Sequence, residues 1–157
     1  MRPALQLRIR KSELADAARI ADWNSRLARE TENRALDPGT ALAGVKGLMK
    51  DKHKGFYLLA ETTAASPKPA GQLLVTCEWS DWRNGNFWWI QSVYVDPAFR
   101  GQGVFSRLYR HLEELARYRR DVAGLRLYVE RHNQNAKNVY ESLGMRPTAY
   151  DLYEVEF

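Results

Sequence analysis

Apolar and polar residues alternate near both ends of the chain, as they do in a β-strand with one buried face. The alternation covers LQLRIR from Leu5 and the closing segment AYDLYEVEF. Between them, apolar stretches predict four further strands: GFYLLAE, QLLVTCEWS, FWWIQSVYVDP and GLRLYVE. An Asn84-Gly85 pair separates the second and third of these stretches and predicts a hairpin turn.

Helical spacing of apolar residues predicts four helices between these strands. The first helix is capped by Ser12 and runs to about Arg29, and the second begins at Asp37-Pro38. The third begins at Val104 and turns Leu108, Leu112 and Leu115 inward. The fourth runs from about Gln134 to Leu143 and ends at Gly144. The predicted order is therefore β α α β β β α β α β. Antiparallel strands come first and a parallel β-α-β unit follows, so we expect a mixed α/β sheet in one domain spanning residues 1–157.

The composition excludes several classes of protein. The chain has 157 residues, 45% of them apolar and 27% charged, which is ordinary for a globular domain. The one cysteine, Cys77, excludes an internal disulfide and fits a reducing compartment, so we expect a cytoplasmic location. The three histidines show no ligand spacing, and we expect no metal. No apolar run is long enough to span a membrane, and MRPALQLRIRKS lacks the apolar core of a signal peptide.

A glycine-rich corner, RGQGVF, joins the fourth predicted strand to the third helix. The first turn of a helix offers free backbone N–H groups and partial positive charge, and glycines let a ligand approach the backbone closely. With Arg100 beside it, this corner suits a pyrophosphate. Serine at position 106 excludes the GxGxxG dinucleotide motif, and no lysine completes a P-loop. The plainer interpretation is that Gly101 and Gly103 only turn a tight loop.

A second segment, YVERHNQNAKNVYESLGM, adds Asn133, Ala136, Tyr140 and Gly144 at fixed spacing after a buried strand. With both motifs in this order, the chain resembles the GCN5-related N-acetyltransferase (GNAT) superfamily. That superfamily has Arg/Gln-x-x-Gly-x-Gly/Ala after its fourth strand and Asn-x-x-Ala-x-x-x-Tyr-x-x-x-Gly-Phe near its end. Phe105 replaces the last glycine or alanine of the first motif, and Met145 replaces the phenylalanine of the second.

The resemblance implies that acetyl-CoA, as co-substrate, lies between the fourth and fifth strands, which splay apart around it. The implied cofactor-binding residues are Val93 and Val95 for the pantetheine arm, Arg100, Gly101, Gln102, Gly103, Val104, Phe105 and Ser106 for the pyrophosphate, and Asn133 near the pantetheine. Tyr140 is implied as the general acid that protonates the leaving thiolate. The implied reaction is direct attack of a primary amine on the thioester.

The attacking amine must first lose a proton, because an alkylamine has a pKa near 10.4. Glu78 is our candidate for the base, with Asp81 behind it, and a chain of water molecules is an equal alternative. By the resemblance, the acceptor pocket involves the loop ARETENRALDP and the third and fourth strands. Its candidate residues are Glu30, Glu32, Trp79 and Trp88. Carboxylates with tryptophans suit a small cationic amine through charge and cation–π contact.

Other functions remain open from the sequence. The same fold suits a protein or peptide N-acetyltransferase, or a non-catalytic acyl-CoA-binding sensor. The formal charge of +5 and Arg117, Arg119 and Arg120 raise the question of nucleic acid, but acidic residues interleave with these arginines, and we expect no nucleic-acid partner. The closing strand YDLYEVEF is able to pair with a second copy of the chain, which is compatible with a homodimer.

Overall fold

A computed structural model describes residues 5–157, and within them the chain forms five β-strands and four α-helices. The strands are β1 (Leu7–Lys11), β2 (Phe56–Thr62), β3 (Pro69–Ser80), β4 (Gly85–Val95) and β5 (Val122–Leu127). The helices are α1 (Ala17–Glu32), α2 (Pro38–Lys50), α3 (Val104–Arg117) and α4 (Gln134–Ser142). Residues 1–4, the start of the segment judged not to be a signal peptide, lie outside the described part.

The strands form one sheet in the order β1-β2-β3-β4-β5. Neighbours are antiparallel except β4 and β5, which are parallel because α3 crosses between them. This confirms the predicted mixed sheet, including the hairpin, in which Asn84 adopts a left-handed conformation with φ 46°. Helices α1 and α2 pack on one face of the sheet and α3 packs on the other, so each face has its own apolar core.

Two expectations about the elements are wrong. AYDLYEVEF was expected as a sixth strand, but residues 146–157 form neither a strand nor a helix in the described chain. Ser12 was expected to cap α1, but the N-cap residue of α1 is Asp16. Glu13 caps a short 3₁₀ turn before α1 through a reciprocal capping box with Asp16. The predicted cap of α2 is confirmed, since the Asp37 carboxylate accepts from the Thr40 N–H at 2.7 Å.

An ionic cluster joins β1, β2 and the start of α1 on the edge of the sheet. Arg10 contacts Asp16 at 2.8 Å and Glu61 at 2.5 Å, and Arg8 contacts the second oxygen of Glu61 at 3.0 Å. The Glu61 side chain is only 12% exposed. Hydrogen bonds from Arg10 lower the pKa of both Asp16 and Glu61. The cluster therefore fixes the position of the N-terminal end of α1 relative to the sheet.

Candidate functional site

Strands β4 and β5 separate halfway along β4. Their pairing runs from Asn86 opposite Val122 to Ile90 opposite Leu127. Strand β4 continues to Val95, whereas β5 ends at Leu127, so residues 91–95 keep one edge without a β5 partner. Apart from the Val95 carbonyl, which accepts from Arg100, backbone groups on that edge are free to pair with an extended ligand, as a missing strand would.

A bulge in β4 marks the point of separation. Ser92 has φ 47°, a left-handed conformation that is rare for serine, and the pairing of β3 with β4 shifts between Gln72 and Leu74. The fully buried Gln72 holds this bulge, because its side-chain amide donates to the Ser92 carbonyl at 3.3 Å and to Asn24 Oδ1 at 2.7 Å. Asn24 in turn donates to the hydroxyl of Tyr57 at 3.4 Å. The bulge is thus tied to α1 and β2.

Sequence reasoning did not identify Gln72, Asn24 or Ser92 as site residues. The available signal was Gln72 itself, a polar side chain at the start of the otherwise apolar run QLLVTC. Buried polar side chains require hydrogen-bond partners, so such a residue indicates a specific network. The partners lie 48 and 20 positions away along the chain, and local patterns do not reveal them.

The glycine corner follows directly after β4. The Asp96 carboxylate accepts from the Ala98 N–H at 2.9 Å and fixes a short turn over Pro97–Phe99. Gly101 and Gly103 then have φ values of 73° and 76°, so both need the conformational freedom of glycine. A Cβ at either glycine meets no atom within 4 Å, which shows that the corner is open.

Helix α3 begins at this open corner without a side-chain cap. Gly103 is its N-cap residue and no side chain bonds to its first turn. The first-turn N–H groups, including those of Val104, Phe105 and Ser106, have no intrahelical acceptor. They point the positive end of the helix dipole into open space, which is an arrangement suited to an anion.

Arg100 belongs to the same corner, but its guanidinium is already paired. Its Nε donates to the Val95 carbonyl at 3.0 Å and its Nη2 lies 2.7 Å from the Glu30 carboxylate. Glu30 also accepts from the hydroxyl of Tyr94 at 3.2 Å. Hydrogen bonding from Arg100 lowers the pKa of Glu30. Glu30, expected on the acceptor side, therefore lies against the corner that was expected to bind pyrophosphate.

Tyr140 on α4 lies beside the first turn of α3. Its ring meets the ring of Phe105 edge to face, with centroids 5.6 Å apart and an interplanar angle of 69°. Phe105 also contacts Tyr109, at 6.2 Å, and packs against the core beneath α3. Burial raises the pKa of Tyr140, so its hydroxyl stays protonated and able to donate. The Phe105 ring is therefore accommodated in the fold by packing against Tyr140.

Asn133 is the N-cap residue of α4, as the sequence predicts. Its Oδ1 accepts from the Ala136 N–H at 3.0 Å. The cap leaves the two hydrogens of its exposed side-chain amide for other partners. Gly144, with φ 89°, ends the helix as expected.

An open cavity of about 350 Å³ lies between the C-terminal half of α1, the loop after it and the β4 bulge. Its polar lining includes Glu32, Arg34 and Ser92, and the role of Glu32 in an acceptor pocket stays a prediction. Trp79 is 59% exposed on β3. Trp88, by contrast, is 6% exposed and packs on Phe56 with ring centroids 5.3 Å apart. The expectation that Trp88 lines an acceptor pocket is corrected, because its side chain lies in the core.

Glu78 lies in a different polar cluster. Its Oε1 accepts from Arg126 at 2.6 Å and its Oε2 accepts from the indole of Trp89 at 3.1 Å. The Trp89 ring stacks on Tyr128 with centroids 4.4 Å apart. Glu78 pairs with Phe87, three residues before the end of β4–β5 pairing, or roughly 10 Å along the strand. Each carboxylate oxygen therefore accepts one hydrogen bond, and Glu78 lies at a distance from the gap.

Within residues 5–157 no helix has the length and apolarity needed to cross a bilayer. The same residues bring together no group of three or more histidine, cysteine, aspartate or glutamate side chains able to hold a metal ion.

Known proteins resemble this chain over most of its length. The model of the acetyltransferase (GNAT) family matches residues 14–145. A possible acetyltransferase from Clostridium difficile 630 is 43% identical, with a TM-score of 0.88 over 97% of this chain and 98% of the other. An aminoglycoside N-acetyltransferase in complex with CoA has a TM-score of 0.77 over 99% and 98% of the two chains. At 12% identity it shows the fold alone.

A thialysine N-epsilon-acetyltransferase from Bos taurus is 33% identical over 108 residues, which are 64% of this chain and 60% of the bovine one. The chain thus matches somewhat less than two thirds of that relative's length. The family match spans most of the fold described above, from the start of α1 to the end of α4. The open β4 edge, the glycine corner and Tyr140 all fall within it, and the chain belongs to the GNAT family of acetyltransferases.

Proposed function

We propose that this protein transfers the acetyl group of acetyl-CoA to a primary amine of a small cationic molecule. The observation that carries the proposal is the convergence of three features: the unpaired edge of β4, the open N-terminus of α3 and the adjacent Tyr140. The match to the acetyltransferase (GNAT) family over residues 14–145 supports the choice of acetyl-CoA as co-substrate. The bovine relative, named for the acetylation of thialysine, supports a small amine as acceptor.

The corner would hold the pyrophosphate of acetyl-CoA. Free N–H groups from Gly101 to Ser106 supply donors, and the Arg100 guanidinium would exchange its contact with Glu30 for one with the pyrophosphate. The backbone of Val93 and Val95 would pair with the amides of the pantetheine arm, because that edge of β4 has no strand beside it. The amide hydrogens that Asn133 keeps after capping α4 are available to the same arm.

The transfer step needs a donor at the thioester carbonyl and a proton for the thiolate. A backbone N–H at the β4 bulge would polarise the carbonyl, and the network of Gln72 and Ser92 would keep that N–H in place. Tyr140 would give its proton to the departing sulfur. A thiol pKa of about 8.5 makes CoA a fair leaving group by itself, so Tyr140 accelerates the step and is not an absolute requirement.

Glu78 lies roughly 10 Å along the strand from the gap, so we propose that it does not contact the amine directly. Water in the open gap would accept the proton, which was the equal alternative. Glu32, which lines the cavity beside the β4 bulge, would favour a cationic acceptor by its charge. Trp79 pairs with Asn86, farther from the gap than Glu78, and therefore has no place in this proposal.

The test is release of free CoA thiol from acetyl-CoA with a panel of amines: thialysine, lysine, a polyamine, an aminoglycoside and a lysine-containing peptide. We expect amine-dependent release with at least one small cationic amine and no comparable release with the peptide. Turnover of the peptide alone would favour the peptide acetyltransferase. Tight binding of acetyl-CoA without turnover of any amine would favour the non-catalytic sensor.

A further inference from the structure

The gap between β4 and β5 has a closed end, where the two strands pair with each other. The pair that forms this closed end is Ile90 with Leu127. In the binding mode proposed above, the cofactor runs along β4 from the glycine corner, past Val95 and Val93, to the bulge at Ser92. The acyl group is the last part of the cofactor in that direction, so it comes nearest to the closed end.

Two stacked aromatic rings cover the closed end on the face of the sheet that carries α1 and α2. Trp89 precedes the last pair on β4 and Tyr128 follows it after β5, and their ring centroids are 4.4 Å apart. Alternation along β4 places the Trp89 ring on the face opposite Trp88, which lies in the core beneath α3. The contact is between rings, so the Tyr128 hydroxyl takes no part in it.

A chain of polar contacts holds the Trp89 ring in this position. Its indole N–H donates to Glu78 at 3.1 Å, and the second oxygen of Glu78 accepts from Arg126 at 2.6 Å. The guanidinium of Arg126 lies 3.6 Å from the ring centroid of Phe87. Trp89 is therefore fixed by a hydrogen bond as well as by ring stacking.

The opposite face of the sheet offers no further room at the closed end. Ile90 is 3% exposed, and Leu127, Val93 and Phe105 pack against the same core. Cores of this kind leave few voids larger than a water molecule, and extra carbon atoms strain them. A longer acyl chain would therefore have to displace either this core or the Trp89 ring.

Given the function proposed above, we propose that Trp89 limits the length of the acyl group and that Glu78 positions Trp89 for this purpose. Two residues of strand separate the Ser92 bulge from Ile90, a distance of roughly 7 Å. Atoms in contact stand about 3.5–4 Å apart, which leaves about 3 Å beyond a thioester carbonyl at the bulge. One carbon–carbon bond of about 1.5 Å fits that space, but the three of a butyryl group reach about 4 Å.

The test compares acetyl-CoA, propionyl-CoA and butyryl-CoA with one amine that the protein acetylates. Release of CoA thiol gives kcat/KM for each, since the same C–N bond forms and the same C–S bond breaks. Isothermal titration gives the three Kd values without turnover. One methylene changes discrimination by about 10- to 200-fold, so kcat/KM for butyryl-CoA should be at least about 100-fold below that for acetyl-CoA.

Variants of Trp89 should change this preference in a graded way. Trp89→Ala should raise the butyryl-to-acetyl ratio of kcat/KM by at least about 10-fold. Trp89→Phe keeps a smaller ring against Tyr128 and should give an intermediate ratio. Trp82→Ala is the control, because it removes an equal indole that is 85% exposed in the β3–β4 turn, and its ratio should stay within about 2-fold. The ratio compares two substrates on one preparation, so partial loss of folded protein cancels.

The positioning role of Glu78 has its own test. Glu78→Ala frees the indole and should raise the ratio by less than Trp89→Ala does. Glu78→Gln, whose amide oxygen is able to accept from the indole, should keep the unaltered ratio. Glu78→Ala added to Trp89→Ala should have no further effect, because Glu78 acts through the Trp89 ring. Additive effects in the double variant would overturn the positioning role.

Equal use of acetyl-CoA and butyryl-CoA by the unaltered chain, or a ratio that Trp89→Ala leaves unchanged, would overturn the role of Trp89. The Kd values separate this result from a failure of the proposed function. Binding of acetyl-CoA without turnover of any amine would contradict the proposed function, whereas weaker binding of butyryl-CoA that Trp89→Ala relieves would still support acyl selection. Absence of binding by all three would overturn both.

Discussion

The guanidinium of Arg100 lies 2.7 Å from the carboxylate of Glu30, which joins the end of α1 to the glycine corner across 70 positions of sequence. Arg100 keeps a second anchor, the Val95 carbonyl. Glu30 therefore neutralises the corner without being the only group that holds Arg100 in place. A pyrophosphate at this corner would compete with Glu30 for the same guanidinium.

The first prediction follows from that competition. Glu30→Gln removes a negative charge beside the anion site, and we expect the Kd for CoA to fall by about 2- to 5-fold, the range of an exposed ion pair. Glu32→Gln on the same helix is the matched control and should leave CoA affinity unchanged. Isothermal titration at low salt measures both. Weaker CoA binding in Glu30→Gln would show instead that Glu30 holds Arg100 in its productive position.

The second prediction concerns the proposed acid. Tyr140→Phe keeps the ring contact with Phe105 and removes only the hydroxyl. We expect kcat to fall by roughly 10²–10⁴-fold with CoA affinity unchanged, because the lost donor acts on the leaving thiolate. Tyr128→Phe, an exposed tyrosine, serves as control. Neutral surface substitutions change a measured constant by about two-fold at most. A Tyr140→Phe variant whose kcat stays within that range would exclude Tyr140 from the mechanism.

The pH dependence follows from the same residue. Burial raises the pKa of Tyr140 above its usual value near 10, so the acid form persists at neutral and mildly alkaline pH. The amine acceptor must be neutral to attack, and therefore kcat/KM should rise with pH towards the pKa of the amine. A fall caused by loss of the tyrosine proton should come only above pH 10. A decline already between about pH 8 and 9 would contradict the assigned acid.

Phe105 provides the third prediction, since its ring is the observed neighbour of Tyr140 at the corner. Phe105→Ala frees the Tyr140 ring, and we expect kcat to fall while CoA affinity is retained. Combined with Tyr140→Phe, the effect on kcat should be much smaller than the product of the two single effects, because both changes disable the same group. Full additivity would show that Phe105 does not act through Tyr140. Phe105→Leu should restore part of the lost rate.

A fourth prediction tests the support of the β4 bulge. Gln72→Leu deletes the donor to the Ser92 carbonyl and leaves the Oδ1 atom of Asn24 without the donor that Gln72 supplies. We expect the free energy of unfolding, measured by urea denaturation, to fall by about 1–3 kcal/mol, and we expect acetyl-CoA to bind more weakly. The matched change Gln91→Leu removes a hydrogen bond to Thr76 on the same strand pair. Equal effects of the two variants on acetyl-CoA affinity would mean that the bulge has no special role.

The fifth prediction concerns stability in acid. Arg10 lowers the pKa of Glu61 and Asp16 in the folded protein relative to the unfolded chain. Their stabilisation is therefore fully present above the unfolded pKa values, near 4, and is lost as pH falls through the lower folded values. Glu61→Gln should cost about 1.5–3 kcal/mol at pH 7 and flatten this acid dependence. An unchanged acid dependence would exclude Glu61 as its source.

Much of the fold was predictable because each element carries its own periodicity. The Asn84-Gly85 turn, the Asp37 cap of α2 and the Gly144 stop are local chemistry, and the structure confirms all three. The alternation in AYDLYEVEF gives the pattern of a strand but says nothing about its neighbour, and the single chain provides none. An alternating segment without a partner forms no strand, and its side chains stay exposed.

The site was predictable only in part. The corner and Tyr140 lie in motifs with fixed spacing, so the sequence pointed to them directly. The pairing of Glu30 with Arg100 and of Glu78 with Arg126 depends on contacts 70 and 48 positions apart. Trp88 and Trp89 are adjacent on β4, and alternation places one in the core and one outside. Which of the two is buried follows from α3 and Phe56, not from the pair itself.

The most direct test of the central claim is a thermal-shift measurement with acetyl-CoA, CoA and NAD side by side. A ligand at 100 times its Kd adds about 2.7 kcal/mol of stability. For a domain of this size that corresponds to roughly 5–10 °C in Tm. The account predicts such a shift with acetyl-CoA and CoA and none with NAD. No shift with either CoA species, or an equal shift with NAD, would contradict the assignment of the corner and the β4 edge as an acetyl-CoA site.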